Sequence, residues 1–407
     1  MYNSNKIKSI FSKSILTNSI NSIKPYFDKK HIEHINHSIH NFLNCGNLSK
    51  GFISYRCSSC NFQHKMKLTC KSRLCPSCGY NYSVNWTNSI LKQFINIPHR
   101  HVLFTVPKEF RKFIAYDRSI LSKMSKAIND IFKYQFHNIK DKVKRKIYIP
   151  KSNPNYFTNS DIINYGLITV IHTFGKDLKF NPHIHAIISL GGFNKKFQYK
   201  ELKYFHVPSI ANQWKFSLCK LISNANYPND IIKIQAKKAV SNVYDNDVRF
   251  FFNVAGNDIN NPKYIIKYLG RYLSRVPIAE YKIVNIDFNK NSLTFKFEDL
   301  SNNKEITYST LSFKDFVAKV LFHLPLKYFK MINRYGFYAR RISSKVKMSL
   351  FYLKAQVNKK SLSLFRKNFK ELWDFDPFMC PHCNIYLKRY ELFIDNGLSP
   401  PIHKFYN

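Results

Sequence analysis

The sequence predicts a mixed α+β protein. Three observations carry this expectation. Short runs of β-branched and aromatic residues, bounded by Pro and Gly, read as strands. Longer stretches with helix start and stop signals lie between them. Paired C-x-x-C motifs ahead of these runs mark a small metal-stabilised module.

Taken in order, residues 1–50 read as helical and polar. His31, His34, His37 and His40 recur every third residue, which spreads them over a helix face and predicts a solvated helix rather than a compact site. Cys57-Ser58-Ser59-Cys60 and Cys75-Pro76-Ser77-Cys78 follow, with 14 residues between them. Two such pairs predict one closed structural zinc site of four thiolates, Cys57, Cys60, Cys75 and Cys78. Cys70 is a fifth candidate ligand, with Cys45 and His64 nearby. Lys65, Lys67, Lys71 and Arg73 sit between the pairs, where a rigid zinc module could present them to nucleic acid.

Residues 80–98 read as a connecting helix ended by Pro98, 101–106 as a strand stopped by Pro107, and 108–146 as helical and basic. Residues 165–174, around Leu167-Ile168-Thr169-Val170-Ile171, read as a strand. So does Asn181-Pro182-His183-Ile184-His185-Ala186-Ile187-Ile188-Ser189-Leu190, ended by Gly191-Gly192. Strand side chains alternate, so His183, His185 and Ile187 share one face. Two imidazoles two residues apart on a stiff strand can reach one cation; zinc, manganese, iron or nickel suits them better than magnesium. Random placement of 15 His gives roughly 0.6 His-x-His pairs, and His99-Arg100-His101 is a second one. Farther on, 214–224 reads as helix and 248–254 as a short strand. A helix over 261–277 has Asn261 as N-cap, Pro262 in its first turn and Pro277 at its end. Tyr264, Tyr268 and Tyr272 lie one turn apart on it, beside Arg271 and Arg275, and Ile265, Leu269 and Leu273 form the neighbouring apolar stripe.

Composition narrows the class of partner. Lys and Arg number 65 against 24 Asp and Glu in 407 residues, a formal net charge of +41. Such a surplus is the electrostatic footprint of a polyanion-binding protein. Codon bias toward Lys, Asn, Ile, Phe and Tyr would equally permit Asp and Glu, so it does not account for their scarcity. Aromatic residues at 16% could stack on unpaired bases, although most Phe belong in the core. No apolar run is long enough to span a bilayer, and the start lacks a secretory h-region. Nine Cys grouped as C-x-x-C argue for a reducing compartment and metal rather than disulfides. The expected location is therefore the cytoplasm, without a membrane partner.

The order of these segments resembles the two-tyrosine rolling-circle transposases of the insertion sequence 91 family, within the HUH endonuclease superfamily. The resemblance runs from about Cys45 to Arg341. It rests on the two-knuckle module, Phe104-Thr105-Val106-Pro107, His172-Thr173-Phe174-Gly175, His183-Ile184-His185, Gly191-Gly192, Tyr268-Leu269-Gly270-Arg271-Tyr272 with Arg275, and 316–336 with His323, Pro325 and Arg334-Tyr335-Gly336.

That resemblance implies an antiparallel HUH-type sheet flanked by helices. It implies an amino-terminal helical segment (1–50), a zinc module (51–95), a catalytic domain (96–285) and a basic carboxy-terminal region (286–407). It implies a transposase that nicks and rejoins single-stranded DNA. Tyr268 and Tyr272 would be nucleophiles forming a 5′-phosphotyrosine, with Tyr264 a bystander or a reserve. His183 and His185 would hold a catalytic Mg2+ or Mn2+, and Lys267, Arg271 and Arg275 would face DNA. An HUH replication initiator and a catalytically inactive zinc-containing DNA-binding protein are the alternatives. The family often carries Gln after the Gly of the pre-strand motif, where this chain has Lys176; the third ligand stays open between Asp177 and His172. Cys380-Pro381-His382-Cys383 is a knuckle without an obvious second half, which could recruit His403.

Overall fold

Strand β5 (Phe180–Phe193), which carries the histidine pair, is the longest strand, and the principal sheet is built outward from it. The computed structural model describes residues 6–91, 94–95, 97–146, 164–193, 199–201, 205–246, 248, 250, 252–254, 277–299, 305–339, 376–395 and 400–406. β5 pairs antiparallel with β4 (Asn164–Phe174) on one side and β3 (His99–Thr105) on the other. β11 (Ile332–Gly336) continues the sheet beyond β4, β7 (Phe252–Val254) beyond β3, and β6 (Tyr199–Glu201) pairs with the end of β5. The Gly191-Gly192 pair therefore does not end the strand, because β6 supplies partners to Gly191, Gly192 and Phe193.

Alternation along β5 sends its two sets of side chains to opposite layers. Ile184, Ala186 and Ile188 face a core filled from α5 (Lys108–Tyr116), α6 (Ser119–Lys146), α7 (Val207–Ser223) and α8 (Asp230–Asp245). Phe104, Phe110, Phe113, Phe132 and Trp214 are its largest buried members. Ile187 faces the other way, into a smaller cluster with Ile168, Val170, Phe337 and Tyr338 and with Trp86 and Ile90 of α4 (Pro76–Leu91). Gly336 closes β11 with φ +59° and lies against the Tyr165 carbonyl, where a β-carbon would collide. The fold is thus α+β with an antiparallel central sheet, as expected from the sequence.

A second core joins regions far apart in the chain. It contains residues of α1 (Lys6–Ser9), α2 (Lys13–Ile23) and α3 (Lys29–Leu43). It also contains residues of the sheet β8 (Ile283–Asp287), β9 (Ser292–Asp299) and β10 (Glu305–Ser312), and of the following helix, α9 (Phe313–Phe322). Packing thus crosses the expected divisions at 50 and 285. The α3 helix is not simply solvated: His31 is buried and donates its Nε2–H to the Leu324 carbonyl at 3.1 Å. Its Asp28 N-cap accepts from the His31 backbone N–H at 2.7 Å. The Arg118 guanidinium clamps this core to the main sheet. It lies 4.4 Å from the ring centre of Phe27, 5.5 Å from Phe180 and 4.5 Å from Phe322, and donates to the Phe322 carbonyl at 2.6 Å.

A third sheet unites the two ends of the chain. β1 (Gly51–Arg56) pairs with β2 (Gln63–Lys67) and, on its other edge, with β12 (Lys388–Ile394), which pairs with β13 (Ile402–Phe405). Lys50 and Asp395 seal one end of it with a 2.7 Å ion pair. The expected zinc module is therefore completed by the carboxy-terminal region.

Candidate metal centres

The histidine site is set by strand register. His183 lies directly opposite His172 of β4, and His185 lies two pairs farther along, opposite Val170. Antiparallel pairing puts directly opposed side chains on the same face, so three imidazoles meet. The ligand-capable nitrogens of His172, His183 and His185 all lie within 4.8 Å of one another. Of the two candidates the sequence left open, His172 joins the cluster, whereas Asp177 bonds instead with Lys179. Lys176 is directed to Glu298 at 2.6 Å.

The remaining hydrogen bonds prepare these rings as ligands. His183 donates Nδ1–H to the Asn181 carbonyl at 2.7 Å, which leaves the Nε2 lone pair for a cation. His185 Nδ1 shares a 2.9 Å hydrogen bond with Nε2 of His101 on β3. His101 belongs to the second His-x-His pair. Its companion His99, two residues back on the same face of β3, is buried, donates Nδ1–H to the Ile97 carbonyl at 2.6 Å and accepts from the Tyr338 hydroxyl at 2.8 Å. His185 and His172 are only 6% and 5% exposed. Burial lowers the His183 pKa, opposed by the Asn181 hydrogen bond and assisted by the Arg111 charge. Burial holds His185 well below its ordinary value, with the neighbouring imidazoles adding to the effect. Both rings are therefore neutral near pH 7, the form that ligates metal. A set of three imidazoles suits Mn2+ or Zn2+ better than Mg2+.

The cysteines require a correction. Cys57, Cys60, Cys75 and Cys78 do not form one site; each C-x-x-C joins a different cluster. Cys75 and Cys78 join Cys45 and Cys70, with sulfur separations of 3.7 Å (Cys45–Cys78), 3.6 Å (Cys70–Cys78) and 3.7 Å (Cys75–Cys45). Zinc–thiolate bonds of about 2.3 Å in a tetrahedron place sulfurs roughly 3.8 Å apart, so this set fits zinc. Cys57 and Cys60 instead meet Cys380 and Cys383. The physical reason is the strand pairing: β1 and β12 lie side by side, and each brings the knuckle at its end. His403 is not recruited, since it bonds Glu391 at 2.6 Å. Cys70, the fifth candidate, and the nearby Cys45 take the places that spacing gave to Cys57 and Cys60, because a lone Cys lacks the local signature of a pair.

Tyr268, Tyr272, Tyr264, Lys267, Arg271 and Arg275 lie outside the described residues. Among the described residues, no helix is long and apolar enough to cross a membrane.

Clustered thiols beside an antiparallel sheet with three convergent imidazoles define a metal-binding α+β protein with a strongly basic chain. Comparison with known proteins identifies it further. A model of a transposase zinc-binding domain matches residues 15–106, and one described as "Putative transposase" matches residues 166–346. The transposase for insertion sequence element IS801 of Pseudomonas savastanoi pv. phaseolicola is 25% identical over 360 residues, covering 84% of this chain and 80% of its own length. "Putative transposase y4qJ" of Sinorhizobium fredii (strain NBRC 101917 / NGR234) is 21% identical over 306 residues, covering 70% of this chain and 69% of its own. No solved structure matches the chain. The chain is thus similar to insertion sequence transposases that carry a transposase zinc-binding domain. The Cys45/Cys70/Cys75/Cys78 cluster lies within the matched zinc-binding domain, and its four thiols suit a structural zinc ion.

Proposed function

We propose that this transposase nicks and rejoins single-stranded DNA during rolling-circle transposition, through a 5′-phosphotyrosine formed by Tyr268 or Tyr272. The observation that carries the reading is the convergence of His172, His183 and His185 on one sheet face. These three residues would hold the catalytic cation, with Mn2+ favoured over Mg2+ by the nitrogen donors. When bound, such a cation supplies Lewis-acid stabilisation of charge on a phosphate oxygen.

The protein's own groups supply the rest. A tyrosine oxygen attacks phosphorus, the new O–P bond forms as the P–O3′ bond breaks, and the departing O3′ takes up a proton to become a free 3′-OH. An unperturbed tyrosine titrates near pH 10, so cations such as Lys267 and Arg271 would favour its phenolate. The covalent link conserves a phosphodiester's bond energy, and attack by another 3′-OH reseals the strand and frees the tyrosine. Two tyrosines one helical turn apart let two strand ends be held together. His101 positions His185 through their shared hydrogen bond. The net charge of +41 draws in the phosphate backbone, so affinity for single strands should fall steeply with salt. The reaction takes place at the bacterial nucleoid.

The test is a denaturing gel for a protein–DNA adduct on labelled single strands drawn from DNA flanking the gene, with Mn2+ or Mg2+. A metal-dependent adduct lost in His183→Ala and in Tyr268→Phe/Tyr272→Phe, and weakened in His172→Ala, is the expected result. Adduct formation by the double tyrosine variant would refute the assignment of the nucleophiles.

A further inference from the structure

We infer that Cys57, Cys60, Cys380 and Cys383 form a second structural zinc site, which staples the carboxy-terminal strands onto the amino-terminal module. The four sulfurs lie within 4.8 Å of one another. Cys60 and Cys380 approach to 3.4 Å, well beyond a disulfide's ~2.05 Å and near the spacing of thiolates around one zinc ion.

The backbone supplies independent support, because the two halves are copies of one another. Cys57-Ser58-Ser59-Cys60-Asn61-Phe62 matches Cys380-Pro381-His382-Cys383-Asn384-Ile385 position for position in C-x-x-C-N followed by an apolar residue. The first Cys N–H donates to the carbonyl of the sixth residue in each, Cys57 to Phe62 and Cys380 to Ile385, both at 2.8 Å. The Asn N–H returns to the first Cys carbonyl in each, at 3.2 and 2.9 Å. Both asparagines adopt the left-handed conformation, with φ of +57° for Asn61 and +54° for Asn384. A backbone N–H points at a sulfur in each half: Ser59 to Cys57 at 3.4 Å and Cys383 to Cys380 at 3.5 Å. Such donors stabilise thiolate over thiol.

Two matching loops facing each other make a four-thiolate cage rather than a pair of idle turns. Packing alone does not account for the junction either. Its apolar cluster has three buried members, Cys57, Cys380 and Leu387, with Tyr55, Phe62 and Cys383 against them. A core that small needs a covalent or metal cross-link to hold segments 320 residues apart.

The experiment uses the full chain carrying His183→Ala/His185→Ala, so that imidazole-bound metal is not counted. Zinc content by elemental analysis should be two per chain, falling to one in Cys380→Ser/Cys383→Ser. After cobalt exchange, thiolate-to-cobalt absorption should fall by about half. Hydrogen exchange should rise along β1 and β12 while α3 keeps its protection. The Cys383→His variant covers the case in which the double variant does not fold. It exchanges one zinc ligand for another, so two metals should remain while the cobalt spectrum changes. One zinc in the parent chain, unchanged zinc in the double variant, or an unchanged cobalt spectrum in Cys383→His would overturn the proposal.

Discussion

The two cysteine clusters each gather four thiols, but in opposite ways. Cys45, Cys70, Cys75 and Cys78 come from a span of 33 residues, and Cys75 and Cys78 are themselves part of the core that holds α1, α2, α3 and α9. Cys57, Cys60, Cys380 and Cys383 span most of the chain and sit in a cluster with hardly any core of its own. The first site is the centre of a folded unit, and the second closes the edge of a sheet. The difference teaches that C-x-x-C spacing reports the capacity to bind metal but not which pairs share it.

The largest effect should come from breaking the first cluster. Structural zinc contributes roughly 10–16 kcal/mol of apparent binding free energy, comparable with or greater than a typical domain's total stability of about 5–15 kcal/mol. Cys75→Ser should therefore remove hydrogen-exchange protection from α3 and α9, not only from the loop around residue 75. Retained protection in those helices would show that the apolar core stands without its metal.

Acid should act through buried histidines in both the main sheet and the second core. His31 is pushed down to about 4, and His99 and His323 to about 3, in each case chiefly by burial. Their folded values lie below the unfolded value of about 6.5, so the unfolded chain binds more protons as pH falls. Stability present above pH 6.5 is then lost progressively toward pH 3–4, at about 1.4 kcal/mol per pH unit for each histidine. Between pH 6.5 and 5, His99→Gln should flatten the fall in urea midpoint, followed by tryptophan fluorescence, by about one histidine's share. An unchanged slope would place the proton uptake elsewhere.

Sheet support for the cation should be smaller in energy but easy to read. His101→Phe removes the partner of His185 and should weaken Mn2+ binding by about 10- to 100-fold in calorimetry while leaving the fold intact. Unchanged affinity would mean that His185 needs no orienting partner.

The smallest effect compares the knuckles directly. A left-handed residue with a β-carbon costs about 1–2 kcal/mol unless it is Asn, Asp or Gly. Asn61→Ala and Asn384→Ala should each lower stability by about 1 kcal/mol, and the Gly replacements should cost less. A cost at Asn61 alone would break the equivalence of the two loops.

Much of the site was readable because strand periodicity is local. His183 and His185 share a face by alternation alone. The third imidazole was readable only as one of two candidates, because His172 reaches them through the register between β4 and β5, and register depends on the bulges at Tyr165/Leu167 and His172/Phe174. His101 was discounted as a chance pair for the same reason. His31 was misread because a polar helix pattern does not reveal which polar residue meets a carbonyl from another element. The pairing of cysteines failed on sequence distance, because the second half of the Cys380/Cys383 knuckle lies more than three hundred residues earlier, at Cys57/Cys60.

The position of β1 between a near partner and a distant one also sets an order of events during synthesis. β2 follows β1 after a short turn, whereas β12 begins at Lys388, more than three hundred residues later. At about 5–20 residues per second, β1 waits on the order of tens of seconds with one edge unpaired. An unpaired edge is a template for pairing with other strands, and Lys65 and Lys67 on neighbouring β2 are the charged residues that discourage it in the meantime. The module around β1 is thus made long before it is finished, so a chain interrupted before β12 would carry an open sheet where the complete one has a closed junction.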